Sequence, residues 1–102
     1  MIIVNAKIEA TQDTISAMQA AIAKMESASM AEPGCDDYCF SVELNNPAVM
    51  RITEKWQNME ALVNHFSLPH MAEFQASMAA HPPKSVEAHF YEATEVDMPT
   101  GG

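Results

Sequence analysis

The chain has 102 residues and a formal net charge of −9, with 14 acidic against 5 basic residues. That length accommodates one domain, and 48% hydrophobic with 19% charged residues excludes a disordered chain. The acidic balance excludes the basic footprint by which proteins hold nucleic acid or anionic membrane surfaces. In chain order, Ile2, Val4, Ala6 and Ile8 alternate with Ile3, Asn5, Lys7 and Glu9, the pattern of a strand with at least one buried face. Thr11 to Asp13 supply N-cap side chains. Ile15, Met18, Ile22 and Met25 then recur at helical spacing, so one helix is expected to run to about Ser29 and stop before Pro33-Gly34.

A second strand begins near Cys35, with Tyr38, Phe40, Val42 and Leu44 on one face. Asn45-Asn46-Pro47 reads as the turn of a hairpin. A third strand, about Val49 to Trp56, puts Met50, Ile52, Glu54 and Trp56 on one side. Asn58 caps a short helix carrying Met59, Leu62 and Val63, and Ser67 is expected to cap the next, with Pro69 in its first turn. Met71, Phe74 and Met78 form that helix's apolar stripe, and Pro82-Pro83 ends it. A last strand runs from Ser85 to about Thr94.

The order β-α-β-β-α-β, with the second helix split, is the ferredoxin-like α+β arrangement. Residues 1–95 are read as a single domain and 96–102 as a flexible tail. Four strands backed by helices leave one sheet face uncovered, and both alternating rows carry apolar or bulky groups, Ile3, Cys39, Val49 and Tyr91 on the second. A face of that kind wants a partner, and two such sheets packed together would make a homodimeric α+β barrel. No apolar run approaches the roughly 20 residues of a membrane helix, and Met1 to Asn5 lack a leader's basic start, so a cytoplasmic protein is expected. Cys35 and Cys39, four apart and on one face of a strand, would lie about 13 Å apart, too far for a disulfide. Free thiols are expected.

Few residues are equipped for chemistry. Glu54 lies between Ile52 and Trp56, and burial there would raise its pKa towards that of a base. His65 and His70 flank the break Phe66-Ser67-Leu68-Pro69 and titrate near neutrality. Five apart across that break, they lack the i,i+4 spacing of a helical metal site, and no metal is expected. Asn5 interrupts an apolar strand and, if buried, needs partners. Three glycines provide no phosphate-cradling loop and no nucleophile elbow, so no cofactor is expected.

The residues Glu32-Pro33-Gly34-Cys35-x-x-Tyr38, then Glu54-x-Trp56, His65, Pro69-His70 and Phe74, resemble the antibiotic biosynthesis monooxygenase family in order and spacing over residues 2–93. The resemblance implies a dimeric α+β barrel with a small cavity between sheet and helices in each subunit. It implies oxidation of an electron-rich phenol or quinol by molecular oxygen, without metal or flavin, with His65 or His70 as base or phenolate partner. Glu54 would share that catalytic part, and Asn5, Trp56, Phe74, Tyr38 and Phe66 would shape the cavity around the small aromatic substrate. Haem-degrading relatives use an asparagine on strand one, where Asn5 stands, but His65 occupies the place of their tryptophan and Gln75 about that of their iron ligand. Other relatives isomerise a phosphorylated quorum-sensing signal and share the His65-x-x-x-Pro69-His70 pattern, although Arg51 and four lysines give few phosphate ligands. A non-catalytic ligand-binding barrel is the third reading, because fold does not fix function.

Overall fold

The structure, a computed structural model, describes residues 1–100. The chain runs β1 (Ile2–Glu9), α1 (Gln12–Ala17), α2 (Gln19–Met30), β2 (Cys35–Glu43), β3 (Asn46–Trp56), α3 (Met59–Phe66), α4 (Pro69–Ala80) and β4 (Ser85–Glu92). The strands form one antiparallel sheet in the order β2-β3-β1-β4. This is the expected ferredoxin-like arrangement, with both helical arms split rather than the second alone. The first arm breaks at Met18, which is buried while its backbone N–H is shared between Thr14 and Ile15 carbonyls at 3.1 and 3.2 Å. One tightened turn there drives a long flexible side chain into the core.

Strand periodicity decides which residues meet the helices. Ile2, Val4, Ala6 and Ile8 of β1 pair in register with Trp56, Glu54, Ile52 and Met50 of β3, and this row is buried beneath the helices. Tyr38 continues it on β2, and Met18, Met25, Leu62, Met71 and Phe74 close it from above. Trp56 has no exposed surface; truncating such a side chain costs about 3–5 kcal/mol. The opposite row faces away from the helices; Asn5 and Thr53 are exposed there, while Val49 at its end is buried. Among the described residues no helix is long and apolar enough to cross a membrane.

Several local expectations are corrected. The hairpin loop is Leu44-Asn45, because Glu43 pairs with Asn46. Asn46 and Pro47 belong to β3, and Leu44 is exposed rather than on the inner face. Pro47 is tolerated because a register shift between Val42 and Glu43 leaves it outside the ladder. Ser67 ends α3 instead of starting α4: its hydroxyl donates to the Asn64 carbonyl at 2.7 Å, and extended Leu68 precedes Pro69, as sterics before proline require. β4 stops at Glu92 rather than Thr94. Cys35 and Cys39 are free, but a bulge between Cys35 and Asp37 sets them on opposite faces, opposite Trp56 and Thr53. Of the expected tail, Gly101 and Gly102 lie outside the described residues.

Candidate functional site

The turn between α2 and β2 brings the polar groups together. Gly34 there has φ +84°, and a Cβ on it would stand 2.7 Å from the Ala61 Cβ. Only glycine allows both the backbone conformation and this approach of α3. The Gln57 N–H donates to the Gly34 carbonyl at 2.8 Å, fixing the turn against the end of β3. Glu32, two residues earlier, is thereby buried beside α3 and α4.

Asn58 starts α3 with a side-chain cap on the Ala61 N–H at 2.9 Å. Leu62 and His65, three apart on that helix, form its buried side. Pro69 opens α4, where its missing N–H costs nothing, and sets His70 in the first turn. The result is a junction at one atom. Glu32 Oε2 lies 2.6 Å from His65 Nδ1 and 2.6 Å from His70 Nε2. A carboxylate only accepts hydrogen bonds, so both rings donate to it, and in a neutral imidazole the other nitrogen, His65 Nε2 or His70 Nδ1, is then the acceptor. His65 is wholly buried, whereas the His70 side chain keeps 15% of its exposure. Glu32 Oε1 and His65 Nε2 are buried without a hydrogen-bond partner.

Aromatic rings pack this junction. The His65 ring centroid is 4.7 Å from Trp56, 5.4 Å from Tyr38 and 5.6 Å from Phe66. Trp56 Nε1 donates to Glu54 Oε1 at 2.9 Å. Burial pushes the Glu54 carboxyl up to about 7, the tryptophan bond opposes this, and the Glu32 charge adds to it. Burial and then the Glu54 charge raise the Tyr38 phenol far above its ordinary value. Burial first, then Glu32 and Glu54, lift the Cys35 thiol to about 11, which leaves it an inert thiol rather than a nucleophile.

His65 and His70 thus converge, with Trp56 and Tyr38 against the first and Glu54 held by the tryptophan. Phe66 is half-exposed at the edge and Phe74 lies on the groove side. Asn5 is not part of the site: it is exposed on the uncovered sheet face, opposite Thr53 and His89. Glu32 is the residue that sequence reasoning missed as a functional group. It stood in the Glu32-Pro33-Gly34 segment quoted for the family resemblance, but no role was read for its side chain. The rings of Trp56, Tyr38 and Phe66 surround His65, which has no exposed surface. The opening that reaches the junction is a groove of about 260 Å³ between α2 and α4, lined by Lys24, Met25, His70, Glu73 and Phe74 among others. A second groove of about 300 Å³, with Ile15, Ile22, Phe40 and Met50 in its walls, lies apart from the histidines.

Fold and junction together define a small ferredoxin-like α+β protein with an acid–imidazole cluster under its helices. The family model for antibiotic biosynthesis monooxygenases matches residues 1–77, and the chain belongs to that family. It is similar to the solved structure of a proposed antibiotic biosynthesis monooxygenase from Deinococcus radiodurans, at 25% identity and TM-score 0.89, covering 99% of this chain and 100% of that one. It also shares its fold with a conserved protein from Methanosarcina mazei Go1 (24% identity, TM-score 0.84, 91% and 92% covered). A proposed antibiotic biosynthesis monooxygenase from Nitrosomonas europaea has the same fold (14%, 0.86, 93% and 100%). No curated protein matches the chain.

Proposed function

We propose that this chain is a cofactor-independent monooxygenase that oxidises a quinol- or phenol-like aromatic with molecular oxygen, working as a homodimer. The observation that carries the reading is the single Glu32 oxygen holding Nδ1 of His65 and Nε2 of His70 at 2.6 Å each, beside a groove that His70 lines. With Nε2 committed to Glu32, His70 offers Nδ1 to a hydroxyl in the groove, and the carboxylate stabilises the imidazolium that results. His65 acts through Glu32: its second hydrogen bond holds the carboxylate in place, so it is a positioning residue. Phe74 and Met25 supply apolar walls for a flat ring.

The chemistry then belongs to the substrate. Loss of the hydroxyl proton gives an electron-rich phenolate. One electron passes to oxygen, the resulting radicals join as a peroxide anion on a ring carbon that also carries hydrogen, and the proton held by His70 returns to it to give the hydroperoxide. Loss of water from that carbon leaves a carbonyl, with one oxygen atom in the product and the other in water. Both electrons for the second oxygen atom come from the ring. The phosphorylated-signal alternative is less well supported. Arg51 is bound to Glu43 at 2.7 Å, and Lys24, the cation at the groove, is bound to Glu73 at 2.6 Å.

Oxygen uptake with a reduced naphthoquinol, corrected for autoxidation, tests the proposal. The wild type is expected to show an enzyme-dependent excess, and His70→Ala to lose about 10²-fold or more of it, the usual worth of a positioned base. Absence of any excess, or equal rates in the two proteins, removes this substrate class. Ligand-induced stabilisation without turnover would instead mark a binding barrel.

A further inference from the structure

We propose that Glu32, His65 and His70 also form a binding site for one divalent transition-metal ion of the zinc type. Glu32 and the two histidines each offer one donor atom, and these atoms all lie within 4.8 Å of one another. A tetrahedral ion with bonds of about 2.0–2.2 Å places its ligand atoms roughly 3.3–3.6 Å apart. The two nitrogen–oxygen separations are 2.6 Å, so each has to open by somewhat under about 1 Å to admit the ion. Rotation of the His70 side chain at the rim and of the Glu32 carboxylate between the two rings would supply that movement. His65 is 0% and Glu32 4% exposed at the side chain, so the donors are already stripped of solvent and held by the fold.

A second observation points to a cation independently of this spacing. Glu32 Oε1 is buried with no hydrogen-bond partner. An anionic oxygen in that position bears an uncompensated desolvation cost, and a metal ion on the same carboxylate relieves it. Two imidazoles and one carboxylate suit zinc and its neighbours, whereas magnesium and calcium prefer oxygen donors alone. Three protein ligands leave a coordination position open, and the groove on the His70 side lets water or a hydroxyl reach it. Sequence spacing argued against a metal because His65 and His70 miss the helical i,i+4 pair; the third donor comes from 33 residues before His65.

The ion and the proton network exclude each other. A neutral imidazole bound through Nε2 keeps its proton on Nδ1, so metal-bound His70 presents a donor where the proposed base needs a lone pair. Metal occupancy therefore blocks quinol oxidation, a consequence that rests on the proposed function; the binding itself does not.

The test titrates chelator-stripped protein with Zn²⁺ against a chromophoric chelator, and with Co²⁺ by visible absorption. The wild type is expected to bind one Zn²⁺ per chain, and Glu32→Gln and His70→Ala at least tenfold more weakly. His89→Ala and Cys39→Ser are expected to match the wild type. The Co²⁺ form of the wild type should lack thiolate charge-transfer bands, a readout needing no variant. No Zn²⁺ binding at micromolar concentrations, unchanged affinity in Glu32→Gln and His70→Ala, or a thiolate band would overturn the site. Zinc binding with no oxygen uptake in any form leaves the site standing and removes the proposed function; uptake without zinc binding does the reverse.

Discussion

Glu54 is the carboxylic acid whose ionisation the fold opposes most clearly. Its carboxyl is raised by burial to about 7 from an unfolded value of 4.5. The folded state therefore binds the proton more tightly than the unfolded chain. The stabilising contribution is complete below pH 4.5 and is lost as pH rises through 7. A difference of that size amounts to roughly 3 kcal/mol. Glu54→Gln keeps an oxygen for Trp56 Nε1 and removes the titration. Its melting temperature is expected to gain on the wild type as pH goes from 5 to 8; parallel curves would mean that Glu54 does not titrate in this range. His65 makes a contrasting case. His65→Ala deletes a buried ring and leaves Glu32 with one partner, so a loss of about 3–5 kcal/mol is expected in denaturant unfolding. The histidines and Glu54-x-Trp56 were legible because polar residues interrupt an apolar pattern there. Glu32 was not, since its role comes from packing between elements distant in sequence. Asn5 was misplaced because alternation defines two rows without saying which one the helices cover.

At the scale of elements, the junction depends on how α3 meets the α2–β2 turn. Gly34→Ala puts a side chain at φ +84° and a methyl 2.7 Å from the Ala61 Cβ. Left-handed backbone alone costs an alanine about 1 kcal/mol or more, and the clash adds to it. A loss of 2 kcal/mol or more is expected, about 10 °C in melting temperature for a domain of this size. Because α3 must shift, His65 and Glu32 should separate, so Zn²⁺ affinity should fall together with stability. Unchanged stability would mean that α3 moves aside freely. Strand identity and the split of the second helical arm were readable from periodicity and proline. The break at Met18 was not: its apolar spacing continues across it, and only the need to bury Met18 bends the backbone.

At the scale of the whole molecule, β4 is an edge strand that the helices do not cover. In register with Ile8 and Val4, Val86 and Phe90 lie on the helix side of the sheet, yet they are 54% and 51% exposed. On the other face Tyr91, beside Ile3, is 50% exposed. That face is more polar than the sequence pattern suggested, with Asn5, Thr53 and His89 across its middle. Its charges decide whether a second copy can approach. Lys7, Arg51 and Lys55 share the register positions of this face, with Glu9, Glu87 and Asp37 next to them. Three of the chain's five cations thus sit where two acidic molecules would meet, and local charge is mixed despite the net −9. A two-fold pairing across this face would bury Tyr91 and Ile3 and protect the exposed edge. Sedimentation at micromolar concentrations is expected to give a dimer, with a melting temperature that rises with protein concentration. Tyr91→Glu should weaken the association tenfold or more, because it replaces an apolar contact beside Ile3 with a charge that would have to be desolvated in the interface. A wild type that sediments as a monomer, with a concentration-independent melting temperature, would remove the barrel and leave the junction beneath the helices to act within one chain.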